Sequence, residues 1–474
     1  MPEMNKASRL GVEPLGKLLL RFSIPAITGM VVNALYNIVD RIWVGRGVNE
    51  IALGGLSLVM PVMTIFMAFA MLFGIGAANM ISMRLGQGRK ADAENALNHC
   101  FFLLIGAGIV LMIVGIIFIE PILSLMGAEE GSQALDYAGR YFRIILYGSV
   151  FGLLSFGFSH CTRAQGFPAV TMVSMIIGAG MNMILDPIFI IVFGWGVEGA
   201  AWATIISQFV SAIWILSFCF GKKAVIRLVP RTFRPSFRIV FDIMTFGISQ
   251  FLLQTVMSLV QLLFNQSMGW YGPETLGPGG GDIALSGLNI GMSVVMFILM
   301  PIFGINQAAQ PILGYNYGAK KFDRVRHALL LAIAGATFLC VAGFILGEFF
   351  PDYLILLFAP AGDPERLSPA LLGFAPRVMR IMMVMLPVNG FQIVATNFFV
   401  VTGRPKTSIF LSMLRQFIAL IPCILVFGRL WGLWGVIAAM PVADGFSFLC
   451  TGTMIFFELK KLKKTEARSG LRET

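Results

Sequence analysis

Apolar runs of membrane-spanning length recur twelve times along the chain, near 18–44, 52–83, 95–119, 137–160, 168–193, 197–220, 239–268, 283–313, 327–349, 374–400, 406–429 and 432–457. A hydrocarbon core of ~30 Å takes about 20 helical residues, so each run predicts one transmembrane helix, and the longer runs predict tilt or extension beyond the bilayer. The first run carries a polar stripe: Asn33, Asn37 and Asp40 fall at i, i+4 and i+7 on one helical face, with Tyr36 beside them. A carboxylate at that depth costs about 2.5–3.5 kcal/mol on insertion scales, so it is expected to face a bundle interior or a wet cavity and to take a proton or a cation there. The plainer alternative is a hydrogen-bonded aspartate that only fixes helix packing.

The pattern also repeats. Phe73-Gly74-Ile75 with Gly88 and Lys90 recurs as Phe303-Gly304-Ile305 with Gly318 and Lys320; Arg140, Arg143, Gly166 and Pro168 recur as Arg377, Arg380, Gly403 and Pro405; Trp195-Gly196-Val197 recurs as Trp434-Gly435-Val436. Several matches in one order at nearly one offset indicate a duplication. The expected fold is an all-α membrane protein of twelve transmembrane helices in two six-helix lobes, 1–221 and 239–474, joined by a basic linker at 222–238. Six helices per lobe is an even number, so the lobes enter the membrane in the same sense, related by a pseudo-twofold axis along its normal.

Composition agrees with that reading: 57% of the 474 residues are hydrophobic and 12% charged, with mean hydropathy +0.83, where soluble domains run near 25% charged. The net charge of +11 does not point to nucleic acid, because most lysines and arginines sit in short segments between apolar runs. Those segments alternate with acidic ones (Glu120, Glu129, Glu130, Glu274, Asp282, Asp352, Asp363, Glu365), which places both termini in the cytoplasm. Six scattered cysteines without a Cys-x-x-Cys pair imply neither a disulfide framework nor a zinc site. His99, His160 and His327 lack metal spacing and read as interface histidines. The N-terminal stretch has no apolar core followed by a small-residue cleavage site, so no cleaved signal peptide is expected.

Five stretches carry a resemblance: Leu35-Tyr36-Asn37-Ile38-Val39-Asp40, Gly86-x-Gly88, Gly166-Phe167-Pro168, Asn182-x-x-x-Asp186-Pro187 and Pro311-Ile312-Leu313-Gly314-Tyr315-Asn316. At these residues, and over nearly the whole chain, the sequence resembles the multidrug and toxic compound extrusion (MATE) family, most nearly its DinF- and MepA-like branch. The resemblance implies cation-coupled antiport of organic compounds out of the cytoplasm without ATP. The chain indeed has no Gly-x-x-x-x-Gly-Lys-Ser/Thr phosphate loop. The resemblance also implies a cation site in the first lobe made by Asp40, Asn182, Asp186 and Thr204. Independently, Asn182 and Asp186 share one face of helix 5, and both aspartates fall toward the outer ends of their helices, so they could meet at one depth. Two carboxylates with an amide and a hydroxyl can hold Na⁺ or share a proton, and the residues alone do not choose.

The resemblance further implies, in a second branch of the family, acids in helices 7 and 10; here those helices carry amides instead, among them Gln250, Gln254, Asn389 and Gln392. Coupling is therefore assigned to the first lobe, and Asn33, Tyr36, Asn37, Gln250, Gln254 and Asn389 are candidates for a substrate cavity. Twenty-eight methionines and 42 phenylalanines supply adaptable apolar surface for varied ligands, though most serve as core or lipid-facing residues. Pro25, roughly 22 Å along helix 1 from Asp40, is a candidate hinge, or else an ordinary proline kink. In the second lobe Arg415 lies roughly 13 Å and Asp444 roughly 20 Å from the cytoplasmic side by helical rise, a gap an arginine can bridge, and a structural ion pair is expected.

The expected protein is thus a proton- or sodium-coupled multidrug antiporter of the cytoplasmic (inner) membrane. It would be a monomer with small organic substrates and membrane lipid as partners, and would need no nucleic acid, ATP or cofactor. Three rivals are a lipid-precursor flippase, which would want clustered cations facing a cavity; a passive channel; and an enzyme, for which no nucleophile or metal constellation is found.

Overall fold

The computed structural model describes residues 6–48, 50–125, 132–230, 233–357 and 369–470. It is nearly all helix. The spanning helices are α1 (Leu15–Gly47), α2 (Glu50–Gly86), α3 (Lys90–Ile117), α4 (Gln133–Ala164), α5 (Pro168–Pro187), α6 (Gly196–Phe220), α7 (Phe237–Leu276), α8 (Gly280–Gly318) and α9 (Phe322–Phe349). A bent α10 follows, made of Pro369–Met383 and Leu386–Val401 at 45° to one another. Next comes a continuous helical stretch from Pro405 to Lys463, 59 residues long. At 1.5 Å per residue that would be roughly 90 Å of helix, far more than one ~30 Å crossing. It is two spans, α11 and α12, folded back at Gly432, whose φ of 57° only glycine adopts readily. Twelve spans result, as the apolar pattern predicts. The bend in α10 is new, and Pro387 explains it: a proline in the first turn of the second segment has no N–H for the Met383 carbonyl one turn back.

The chain forms two compact units, Met1–Thr255 with Gln310–Lys321, and Val256–Ala309 with Phe322–Thr474. The division cuts through α7 and α8, because the basic ends of both helices pack on α2. In the first unit α2 and α8 touch backbone to backbone. A methyl built on Gly86 would collide with the Tyr315 carbonyl, and one on Gly318 with the Met83 carbonyl. Only residues without a Cβ let two helices approach that closely, the usual device where lipid supplies no hydrophobic drive between helices. The N-terminal segment is pinned to the same end of α8, with Asn316 Nδ2 donating to the Leu10 carbonyl at 2.9 Å and Lys321 Nζ to the Gly11 carbonyl at 2.8 Å.

The linker between α6 and α7 is strapped onto the first unit. Side chains of α3 and α4 accept its backbone N–H groups: Gln165 Oε1 from Ile226 at 3.2 Å, Glu94 Oε1 from Arg227 at 3.4 Å and Asn98 Oδ1 from Val229 at 2.9 Å. His99 Nε2 accepts from Ser236 at 3.0 Å while its Nδ1 lies 2.8 Å from the Asn95 carbonyl, so the neutral ring carries its hydrogen on Nδ1. Within the strap Ala224, Val225, Ile226 and Leu228 are buried. These backbone N–H groups of the segment thus find side-chain partners, as those of a buried loop must.

In the first unit α4 is central, packed by α2, α3 and α6, while α1 lies along α5. In the second, α9 packs chiefly on α10, and both contact the α11–α12 stretch.

Gly318→Ala is expected to lower the melting temperature of the detergent-solubilised protein, costing about 1–3 kcal/mol, because the colliding atom is a backbone carbonyl that no rotamer change moves. Gly106→Ala on α3, where an added methyl meets nothing within 4 Å, should be neutral or raise it slightly. Equal melting temperatures for the two variants would show that the α2–α8 contact is not close.

Candidate cation site in the first unit

Asp186 stands on the last turn of α5, where the helical ladder is interrupted because Pro187 has no N–H. The chain widens there into a π turn, Ile188–Val192, in which the Phe193 N–H bonds the Ile188 carbonyl at 2.9 Å. Such single π turns recur at functional sites. Packing of α1 on α5 brings Asp40 beside Asp186, so the two carboxyl groups are neighbours. Asn182, one turn earlier on α5, lies beside the same carboxyl but spends its amide N–H on Thr204 Oγ1 of α6, at 3.3 Å. Tyr36 of α1 and Tyr141 of α4 stand against Thr204 and both aspartates.

Asp186 is fully buried, and Asn182 and Thr204 are 1% and 4% exposed. Among the described residues neither carboxylate oxygen of Asp186 nor the amide oxygen of Asn182 has a donor in full hydrogen-bond geometry, the Asn182 amide lying beside the carboxyl. Buried acceptors with no donor are costly, and a second carboxylate next to them makes matters worse. A proton or a small cation removes that cost. The lining of carboxylate, amide and hydroxyl oxygens suits a hard cation rather than a soft metal. Among the described residues no three His, Cys, Asp or Glu side chains converge as metal ligands.

Asp40, Asn182, Asp186 and Thr204, expected as one site, are therefore brought together. Tyr36, expected as cavity lining, stands with them. Asn33 is exposed on α1, and the Asn37 side chain lies outside the described residues. Gln250 and Gln254 are half-buried on the part of α7 that belongs to the first unit, whereas Asn389 is buried on α10 in the second, its amide oxygen without a donor among the described residues. Pro25 lies inside an uninterrupted α1. Tyr141 went unanticipated: it contributes from a fourth helix, and no spacing within one helix marks a residue whose partners lie on others.

A family model described as MatE matches residues 25–188 and 248–425, most of both halves. The chain belongs to the MatE family. It is 25% identical to the multidrug export protein MepA of Staphylococcus aureus over 446 residues, 94% of each chain, and 24% identical to MepA of Staphylococcus haemolyticus over 90% of each. Among solved structures it is similar to an outward-facing conformation of a multidrug resistance MATE family transporter of the MOP superfamily, with TM-score 0.88 and 27% identity over 98% of this chain and 100% of that one. A MOP superfamily transporter from Pyrococcus furiosus superposes with TM-score 0.86 at 26% identity, over 97% and 99%. As a MatE chain it is an integral, multi-pass membrane protein of a multidrug efflux transporter family.

The second unit of this MatE chain holds Asp444, its mid-membrane acid among the described residues, differently. Arg415 lies in a π turn of α11, Leu414–Ala419, and donates from Nε to Asp444 Oδ1 at 2.7 Å and from Nη2 to Oδ2 at 3.4 Å. Gln392 of α10 donates to the Asp444 backbone carbonyl at 2.7 Å. The carboxylate is compensated where Asp186 is not. Near the other membrane face, Arg140 Nε meets Glu198 at 2.8 Å.

Asp444→Asn is expected to destabilise by about 3 kcal/mol, the low end for a buried pair, since the Arg415 side chain keeps 24% of its exposure. Adding Arg415→Met should recover most of the loss. Melting temperatures of the wild type and the three variants give the coupling energy. Additive losses, or loss of coupled transport at unchanged stability, would assign Asp444 to a second cation site.

Proposed function

We propose that this chain is a cation-coupled antiporter that exports organic, often cationic, compounds from the cytoplasm by alternating access. The observation that carries the reading is the fully buried Asp186 carboxylate, set against Asp40 and, among the described residues, without a donor in full hydrogen-bond geometry. A site in that state holds its charge only while a proton or Na⁺ is bound, so its loading is tied to which side it opens toward. Coupling follows where drug and cation favour opposite-facing or mutually exclusive states, and the two then bind antagonistically. The relatives named for multidrug export support the class of cargo. Structures of related MATE proteins in a straight and a bent conformation support a moving element, for which Pro25 in α1 is the hinge candidate of this chain. The protein works as a monomer in the cytoplasmic membrane, with both termini cytoplasmic, and without ATP.

Asp40→Asn and Asp186→Asn are each expected to abolish drug efflux while leaving expression and melting temperature near those of the wild type, because the amide keeps the shape but cannot exchange a charge. Efflux from cells loaded with a fluorescent organic cation reads the effect. Full transport by either variant would remove the site from the mechanism.

The driving ion is read in proteoliposomes. A pH gradient without sodium moves substrate if the site takes a proton; a sodium gradient at equal pH does so if it takes Na⁺. A rate indifferent to both gradients makes the chain a passive channel.

A further inference from the structure

The second unit carries a groove that the transport reading does not use. It opens between α9, α10 and α12, encloses about 570 Å³, and is lined by Ile333 and Thr337, Pro387 and Phe391, and Gly452 and Phe456. The walls are almost wholly apolar, and Phe456 is 64% exposed at the rim. Its floor has been left empty. A methyl built on Gly452 would meet nothing within 4 Å, although a helix interior favours alanine over glycine. Both facts fit a helix surface shaped around something the protein itself does not supply.

Depth and charge say what that is. At ~1.5 Å per residue the lining runs from roughly 6 Å to roughly 22 Å above the basic ends of α9 and α12, about the depth of one leaflet of a ~30 Å core. Two cations continue the groove faces toward the headgroup region. Lys463 follows Leu459 by one turn and Phe456 by two on α12, and Arg326 precedes Ile333 by two turns on α9. Lys463 is exposed. Arg326 reaches Asp323 only at 3.6 Å, and its buried Nε has no hydrogen-bond partner among the described residues. The nearby Glu458 is already paired with Arg404, so it does not neutralise the lysines of α12. An acyl-chain-shaped slot capped by two cations is complementary to a lipid with a negative headgroup, and basic pockets between transmembrane helices hold such headgroups.

We propose that this groove binds a membrane phospholipid with an anionic phosphodiester headgroup, an acyl chain lying over Gly452 and the phosphate held between Arg326 and Lys463. The full-length protein is purified, delipidated in neutral detergent, and given phosphatidylglycerol, phosphatidylcholine with the same acyl chains, or glycerol phosphate alone. Native mass spectrometry and melting temperature read binding. Phosphatidylglycerol should be retained and should raise the melting temperature more than phosphatidylcholine does, with no shift from glycerol phosphate. Gly452→Leu, which fills the slot, should abolish the difference between the two lipids while its lipid-free melting temperature stays at the wild-type value. Arg326→Gln with Lys463→Gln should bring the phosphatidylglycerol response down to that of phosphatidylcholine, and this variant decides by the same criterion if Gly452→Leu does not fold. Equal shifts from both lipids, a selective shift that survives Gly452→Leu, or a full shift from glycerol phosphate alone overturns the proposal.

Discussion

Hydrocarbon offers no partner to a backbone N–H or C=O, so a chain that crosses it twelve times must close its hydrogen bonds within helices or cover each break with protein. Three of the breaks among the described residues have a local cause. Pro187 removes one donor and the helix widens into a π turn; Pro387 removes another and α10 bends; Gly432 takes a left-handed φ and the chain reverses. Proline within α1 leaves that helix uninterrupted. A break is also where a helix can turn a side chain off its regular face. The first π turn follows directly on the buried carboxylate of Asp186 and the second includes Arg415, the partner of Asp444.

The two units treat a buried acid in opposite ways. In the second, Asp444 is met by a guanidinium in two-point geometry, which fixes three helices together but leaves no vacancy for a moving charge. In the first, Asp186 and Asn182 present oxygens to one another and to Asp40, with one N–H of the Asn182 amide turned to Thr204. The first arrangement is unfavourable until a positive charge arrives, which is the property a coupling site requires. An internal duplication has therefore kept the framework and diverged in the chemistry placed upon it.

Close helix contacts supply the rest of the stability. Paired glycines let α2 and α8 meet at their backbones, and the strap after α6 anchors its N–H groups on Gln165, Glu94, Asn98 and His99. These polar side chains lie at the basic ends of α3 and α4, where the apolar runs stop. A segment that composition reads as a basic linker is anchored to α3 and α4 by these bonds.

The sequence by itself determined the number of spans, the internal repeat and which acids lie within apolar runs, because hydropathy acts residue by residue and a carboxylate in an apolar run is visible without knowing its neighbours. It also indicated that Asn182 and Asp186 share a face, since helical periodicity is local. The meeting of Asp40 with Asp186 and of Arg415 with Asp444 was expected from the sequence; tertiary structure alone decided that Tyr141 joins the aspartates from another helix, that an amide N–H of Asn182 turns to Thr204, and that Arg415 reaches Asp444 with both nitrogens. The location of the α10 bend and the strapping of the linker belong to the same class. Each depends on which helix faces span a few ångströms between elements far apart in sequence, and no pattern along one helix encodes that distance.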